Sequence, residues 1–559
     1  MESNQEASPV SKDEVAMSEH YETPVKGIEP FVDGKPFKGI QPFEVLAHTD
    51  VNLYDEQGNL RLIPIPSADP NDPLRMPTWR KSLVIVALGF YTAGATAMLN
   101  TLSPIIPSLL KYYAMGNGPP PQQMVLNLAT YPTLCGGFAA IITVIASRWI
   151  GTRPVTSFSA VLLFFSTIWA CVSTGKDRGL YSHLAARCFI GLATGAFETM
   201  VPLIIQDVNY IHRRNTLIAV VWGIGGITSS VFGALSTYIV NAIGWRWFFG
   251  IINIITGIGM VLILFILPET SWTRTVPDLV GTSQTDENGF AEPVRPTGRP
   301  RSYLYSLRMV SGNGSGKMAW ETFKDLCRCS LFPNIIWVVL LNACMGGTTI
   351  ATTLVLGSLL QNVYHWKPQN VGLFTVAQLV ASLCTIPVTG VLGDQVIKFM
   401  ARRNRGQHKP EHQLVNLILP VILGFIGTLC YGAFSAHPQD HHWMSLLVMM
   451  CLQFFSFFSM NVVTTTYAIE CFPDLAGVMT ITSGAYRNII GFGLTYGVSD
   501  FVSAVGPFGC FGTYAGILGG LGLAGIIFYF KGPAMREYVS QSKLMKSRAA
   551  HIYGETLNQ

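Results

Sequence analysis

The stretch YSHLAARCFIGLATGAFETMVPLII, residues 181–205, decides the fold class, because it is long and apolar enough to cross a bilayer and yet holds Arg187 and Glu198. A carboxylate near the bilayer centre costs on the order of 2.5–3.5 kcal/mol or more, so it marks a pathway, a proton relay or a ligand contact. A period of 3.6 residues puts Arg187, Gly191, Gly195, Glu198 and Pro202 on one stripe. Lipid would not solvate that stripe. It is expected to face a protein interior or an aqueous cavity, and the chain reads as one that handles polar cargo inside a membrane.

The rest of the chain agrees with this reading. Hydrophobic residues make up 49% and charged residues 12%, where a soluble globule carries about 25% charged residues. Mean hydropathy is +0.37. Apolar runs long enough to cross a hydrocarbon core of about 30 Å recur along the sequence. They lie near 82–110, 123–147, 154–174, 181–207, 216–240, 246–267, 333–361, 369–393, 413–435, 442–468, 476–503 and 508–530. The expected fold is all-α, with about twelve transmembrane helices in two pseudo-symmetric six-helix bundles. The first, tenth and eleventh spans are the most polar.

The net charge of +5 does not point to nucleic acid, because the basic residues collect in alternate connections. They are Arg148 and Arg153; Arg213 and Arg214; Arg295, Arg299, Arg301 and Arg308; Lys398, Arg402, Arg403 and Arg405; and Lys531, Arg536, Lys543 and Lys546. The other connections are nearly bare, with Lys111, Lys176, Arg178 and Lys367 as exceptions. The positive-inside rule then places both termini and the central loop in the cytoplasm.

The expected organisation is a largely disordered cytoplasmic tail over 1–80, a bundle over 81–268, a cytoplasmic loop over 269–332, a second bundle over 333–530 and a tail over 531–559. No cleavable signal peptide is expected, and the first span is expected to act as the insertion signal. Short apolar runs around Phe43 and Ile63–Ile65 are candidates to dock on the body, and a short helix is expected near Trp320–Leu326. Most of the 11 cysteines lie within spans, where they act as small apolar side chains. Cys327 and Cys329 lack companion ligands at metal-binding spacing, so no metal site and no cofactor are expected. Asn313-Gly314-Ser315 matches a glycosylation triplet but is expected on the cytoplasmic side, unmodified.

The two halves echo each other in their connections. Ser147-Arg148-Trp149-Ile150-Gly151-Thr152-Arg153-Pro154-Val155 lies between spans two and three, and Gly390-Val391-Leu392-Gly393-Asp394 between spans eight and nine. Glycine permits a sharp reversal, and Asp394 at a helix end is placed to pair with arginines or cap a neighbouring helix. Here the sequence resembles the major facilitator superfamily over most of Lys81–Tyr538. Residues 390–394 are similar to its Gly-x-Leu-x-Asp turn, and residues 147–155 to a fungal variant of it. Arg187, Gly191, Gly195 and Ala196 match an Arg-x-x-x-Gly-x-x-x-Gly-Ala pattern. Glu198, Asp207, His212 and Arg214 resemble what fungal members of the twelve-span drug:proton antiporter group carry in and after span four. Gly244-Trp245-Arg246-Trp247, Pro268-Glu269-Thr270 and Tyr486-Arg487-Asn488 also look like that group.

The resemblance implies a secondary transporter working by alternating access. It further implies a monomeric efflux carrier for drugs, toxins or secondary metabolites, with a small-molecule substrate, protons and the lipid bilayer as partners. The implied location is the fungal plasma membrane, with the vacuolar membrane as the alternative. One departure weakens obligatory proton antiport. The Gly-Pro pair that shapes span five in such antiporters is replaced here by Thr228-Ser229, and without proline that helix keeps the backbone bond and loses the bend. An uptake permease for a small cation or polyamine therefore stays open, as does a non-transporting sensor with the same fold.

The candidate substrate or proton site comprises Glu198, Arg187, Asn342, Gln453, Asn461 and Arg487. Glu198 is either a proton carrier, a contact for cationic cargo, or a salt-bridged structural carboxylate. Arg187 lies eleven residues away, about 16 Å along a helix, so the partner of Glu198 must come from another helix, with Arg487 a candidate. Candidate gate and motif-loop residues are Arg148, Gly151, Arg153, Asp207, Arg214, Gly390 and Asp394. Asn100, Thr101, Thr348, Thr349, Thr352, Thr353 and Thr464–Thr466 are further cavity candidates, although Ser and Thr also bond to their own helix backbone. Enzyme chemistry is not expected: the histidines fall mostly in loops, and there is no Gly-x-x-x-x-Gly-Lys-Ser/Thr loop to bind ATP.

Overall fold

The 181–205 stretch lies inside one helix, Arg178–Val208. The glycines of its stripe decide what packs against it. A Cβ on Gly191 would stand 2.7 Å from the Cα of Pro132, and a Cβ on Gly195 would collide with the carbonyl of Gly136. Two turns of small residues thus let this helix close directly on the backbone of the second span, a packing that dispersion rewards even where lipid supplies no hydrophobic drive.

The computed structural model describes residues 51–52, 63–67, 69–114, 122–173, 178–272, 307–308, 316–472 and 475–542. The expected tail over 1–50, 53–62 and 68, most of the central loop, the Asn313 triplet, Phe43 and the tail over 543–559 lie outside those residues. Spans one to six are Thr78–Asn100, Gln122–Ile150, Thr152–Val172, Arg178–Val208, Arg214–Ile243 and Trp245–Ile266. Span one is broken after Asn100 by the segment Ser103–Ile105, where Pro104 removes a donor, and resumes as Ile106–Ala114.

Spans seven to twelve begin with Pro333–Asn362 and end with Val498–Gln541. Between them come Pro368–Arg403, Pro410–Ala436, Trp443–Cys471 and Ala476–Tyr496. Span eight passes through a π-helical stretch at Ile386–Leu392, which holds Pro387. Among the described residues eleven helices are long and apolar enough to cross a membrane. The remaining one, Ala476–Tyr496, carries buried Thr480, Thr482, Ser483, Arg487, Asn488 and Thr495. Its polarity is directed inward, where protein groups answer it, so the hydropathy pattern alone undercounts it.

The architecture is two six-helix bundles, spans one to six and seven to twelve. Span eleven packs on span two, and span five packs on spans eight and ten, joining the bundles along their length. Two expected boundaries move. Span eleven ends at Tyr496 rather than near 503, because the chain leaves the helix at Gly497; Val498 begins a new helical segment, which kinks at Gly506 (φ +75) before the last span. That last helix continues past 530 to Gln541, where Arg536 grips Glu411 in two hydrogen bonds of 2.9 Å. The expected helix near Trp320–Leu326 spans Gly316–Cys329.

The chain ahead of span one is anchored twice. The Ile211 amide donates to the carbonyl of Ile63 at 2.9 Å, and Ile63 and Ile65 are buried. Val51–Asn52 pairs antiparallel with Gln407–His408, on the connection between spans eight and nine.

Candidate functional site

The two bundles enclose a central cavity of roughly 1150 Å³ when the space open at its mouth is counted. Its wall draws on spans one, two, four, five, seven, eight, ten and eleven. Glu198 and Arg487 are the only ionisable side chains among the described lining residues.

Those two groups form an ion pair. Arg487 Nη2 contacts Glu198 Oε2, and the side chains are only 7% and 8% exposed. Asn488 Nδ2 donates to the same carboxylate oxygen at 2.7 Å, while Arg487 Nε donates to Asn488 Oδ1 at 3.3 Å. Arg487 Nη1 donates to Asn461 Oδ1, which also accepts from Asn342 Nδ2 at 3.3 Å. Each face of the guanidinium fork is thus occupied, and the Trp222 ring stands 5.8 Å from its Cζ. Glu198 belongs to the first bundle and Arg487 to the second, so the pair is a bond between the halves.

The remaining candidates sort by distance from this pair. Asn342 and Asn461 stand behind Arg487 and hold it, without lining the cavity. Gln453 lies further off and donates to the carbonyl of Gly427 at 3.2 Å. Arg187 is fully buried and away from the cavity. Its Nε donates to the Leu128 carbonyl at 3.1 Å and its Nη2 to the Leu99 carbonyl at 3.3 Å, with Met98 taking the third bond. It staples span four to the broken end of span one and to span two. The stripe seen in the sequence therefore has two parts: a packing part from Arg187 to Gly195, and a cavity part at Glu198. Asn100, Thr349 and Thr353 do line the wall, as do Phe454, Phe457 and Phe458.

Trp222, Phe197, Ser229 and Gln378 also line the cavity; none of them was a cavity candidate from the sequence, where Ser229 stood out only as part of the Thr228-Ser229 pair. Trp222 packs 5.8 Å from Phe197, and Gln378 Nε2 donates to Ser229 Oγ at 2.7 Å across the bundle boundary. The available signal was Trp222 in the Gly-rich stretch of span five, where close helix approach exposes a large ring to whatever lies opposite.

The bundles also meet at both ends of the cavity. At the end bearing the basic connections, Asp394 Oδ2 accepts from the Thr216 amide at 3.2 Å and from its hydroxyl, capping the first turn of span five. Gly390 admits span five closely; a Cβ there would meet Ala219 Cβ at 3.1 Å. In the other half Arg148 reaches Gly477 at the start of span eleven, so the two echoed connections make mirrored contacts. Asn215 Nδ2 donates to Gln413 Oε1 at 3.1 Å, Gln413 to Glu470 at 3.0 Å, and His408 Nε2 lies 3.0 Å from Glu470. Arg214 is buried with Glu470 and Asp207 as its charge neighbours.

Gly151 (φ +116) makes the turn that starts span three. The Glu269 carboxylate caps that span, accepting from the Thr152 and Arg153 amides at 3.0 and 3.3 Å. Burial pushes the Glu269 carboxyl above its ordinary range, against those backbone donors. Arg153 is buried and donates to the carbonyls of Leu264 and Leu267, both at 2.7 Å, and to that of Leu307, so it holds span three to the end of span six and to the central loop. At the opposite end Thr237 Oγ1 donates to the Gln369 carbonyl at 2.6 Å, and Tyr238 to Asn370 at 2.7 Å. Span five thus touches span eight both above and below the cavity.

The Major Facilitator Superfamily model matches residues 85–496. An MFS-type transporter of Schizosaccharomyces pombe is 23% identical over 518 residues, covering 82% of this chain and 85% of that one. The protein named MFS antiporter QDR2 of Candida albicans is 22% identical over 417 residues, covering 71% and 78%. Among solved structures, a double-tryptophan mutant of XylE superposes with a TM-score of 0.58 at 15% identity, covering 83% of this chain and 99% of that one.

Proposed function

We propose a specific activity from one premise: this chain belongs to the Major Facilitator Superfamily, a family of membrane transporters. The activity is proton-linked export of small organic solutes by alternating access, through the cavity that Glu198 and Arg487 line. The observation that carries it is the ion pair between the bundles. Burying an ion pair is a poor way to gain stability, since the desolvation cost offsets the attraction. A pair that joins two bodies across a cavity does have a use: it closes when the cavity is empty and opens when a proton or cargo takes one partner's place.

In this reading Glu198 holds either a proton or a cationic group of the cargo, but not both. Protonation removes the charge that Arg487 faces, the bond between the bundles weakens, and the contacts at one end give way. Asp394 with Thr216 and Asn215 with Gln413 close one end; Thr237 and Tyr238 with the span-eight entry close the other. Each is a small set of hydrogen bonds, about 0.5–1.5 kcal/mol apiece between neutral groups and about 1.5–3 kcal/mol to the Asp394 carboxylate, few enough to exchange. One chain supplies both bundles and the whole cavity, so the working unit is a monomer in the bilayer. Basic connections on the side of both termini support a cytoplasmic location for them, and the fungal relatives support a fungal plasma membrane. Export of drugs or secondary metabolites is in keeping with the antiporter named among the relatives.

The test is flux in proteoliposomes under an imposed pH gradient. The gradient should drive wild-type flux, and Glu198→Gln should retain insertion while losing the dependence on the gradient. Equal flux with the gradient collapsed would sink the coupling. A second reading, uptake of a small cation or polyamine, is favoured by span five, where Arg214–Ile243 runs as one helix with Thr228-Ser229 in place of a proline pair. Inward rather than outward net flux decides for it.

A further inference from the structure

The charges on the cavity wall sum to zero, which narrows the cargo. Resting on the transport reading above, we infer that the cavity takes aromatic zwitterions, the ammonium replacing Arg487 at Glu198 and the carboxylate replacing Glu198 at Arg487. The argument is one of exchange. In the empty cavity the carboxylate and the guanidinium satisfy each other in a site less than one-tenth exposed. A singly charged cation that binds Glu198 expels Arg487 from its partner and leaves two positive groups together, with no second carboxylate among the described lining residues. A singly charged anion on Arg487 leaves Glu198 unpaired in the same way. In a poorly hydrated site an uncompensated charge is the most costly outcome, and like charges nearby add to it.

A zwitterion avoids both costs. It inserts between the pair and presents each protein charge with an opposite one, so no group is left without a partner. Asn488 is built for this substitution. Its amide donates to Glu198 and accepts from Arg487, and an amide offers both functions to a ligand's ammonium and carboxylate in turn. Asn461 keeps the guanidinium oriented from behind through the exchange. The aromatic part follows from the adjoining wall. Trp222 lies 5.8 Å from the Arg487 Cζ and 5.8 Å from Phe197, with Phe457 and Phe458 as a further ring pair at 5.6 Å. Such a wall favours a flat apolar body in edge or offset contact. A proton on Glu198 competes with the ammonium for the same oxygen, which links this cargo class to proton exchange.

Three matched probes test the inference: phenylalanine, phenethylamine, which lacks the carboxylate, and 3-phenylpropionate, which lacks the ammonium. Their binding to the full-length protein in nanodiscs is measured by calorimetry at neutral pH. Phenylalanine should bind at least ~100-fold more tightly than either relative, because one uncompensated buried charge separates them. In Glu198→Gln the advantage over 3-phenylpropionate should vanish, and in Arg487→Gln the advantage over phenethylamine should vanish. The wild-type panel decides even where a variant does not fold. Equal affinities, a preference for phenethylamine, or no binding of any probe at millimolar concentration overturns the cargo class. Proton-driven flux lost in Glu198→Gln without a zwitterion preference would leave the transport reading standing while the cargo class falls. The preference without any flux would support the cargo class and remove the transport reading.

Discussion

Neutralising one member of the Glu198–Arg487 pair should destabilise the protein asymmetrically, and the direction follows from who remains. In Glu198→Gln the guanidinium keeps Asn461 and Asn488 as acceptors. The guanidinium is left uncompensated but keeps both hydrogen bonds, so the loss should lie near the lower end, about 3 kcal/mol, of the cost of a broken buried pair. In Arg487→Gln the carboxylate keeps only the Asn488 donor at 2.7 Å among its described partners. An unpaired buried charge of this kind costs about 3–5 kcal/mol. In the double variant no charge is left to desolvate, so the loss should fall at least ~1.5 kcal/mol below the sum of the single losses, inside the roughly 0.5–3 kcal/mol range for residues in contact. The assay is a double-mutant cycle by reversible unfolding in mixed micelles, with all four proteins compared at one detergent composition. Additivity within about 0.5 kcal/mol, or a larger loss for Glu198→Gln than for Arg487→Gln, would refute the pairing argument.

Other outcomes follow from the same geometry. Arg187→Lys should lower the yield of folded protein without changing how flux depends on pH, because one ammonium cannot reach the carbonyls of Met98, Leu99 and Leu128 as the fork does; detergent-extracted monodisperse protein measures it. Thr216→Val removes the hydroxyl bond to Asp394, about 1.5–3 kcal/mol for a charged acceptor; labelling of a cysteine placed at Ser229, from the basic side, should rise about tenfold or more, and unchanged labelling counts against that contact as a gate. Gly195→Leu drives a side chain into the backbone of span two and should cost at least ~1–3 kcal/mol of stability by overpacking. Glu269 has a carboxyl pushed up by burial from its ordinary 4.5, so its contribution to stability is full below that value and is lost as pH rises through the folded one; Glu269→Gln should flatten the decline in thermal stability across mildly acidic pH.

The reach of the sequence can be judged residue by residue. The spans were legible because an apolar run of membrane length is too costly to leave in water, and the tight approach at Gly191 and Gly195 followed from their spacing. Span eleven was placed too long because it stops at Gly497, and a single glycine in a glycine-rich apolar run is as compatible with a continuing membrane helix as with its end. Glu198 was found because charge in lipid is expensive, and Arg487 could be named as its candidate partner. Asn342, Gln453 and Asn461 were harder to place. A helix at the centre of a bundle is surrounded by protein, so hydropathy does not say which polar face looks into the cavity and which holds a neighbour. Trp222 escaped because an aromatic ring in a buried helix looks the same in sequence whether it packs or waits for a ligand.

The two anchors of the N-terminal chain lie on different bodies. Val51–Asn52 is paired to the connection between spans eight and nine, and the Ile63 carbonyl is bonded to Ile211 in the first bundle. Eleven Cα-to-Cα steps separate Asn52 from Ile63, a reach of at most about 40 Å at full extension. Rocking that carried the connection between spans eight and nine further than this from Ile211 would have to break one of the two anchors.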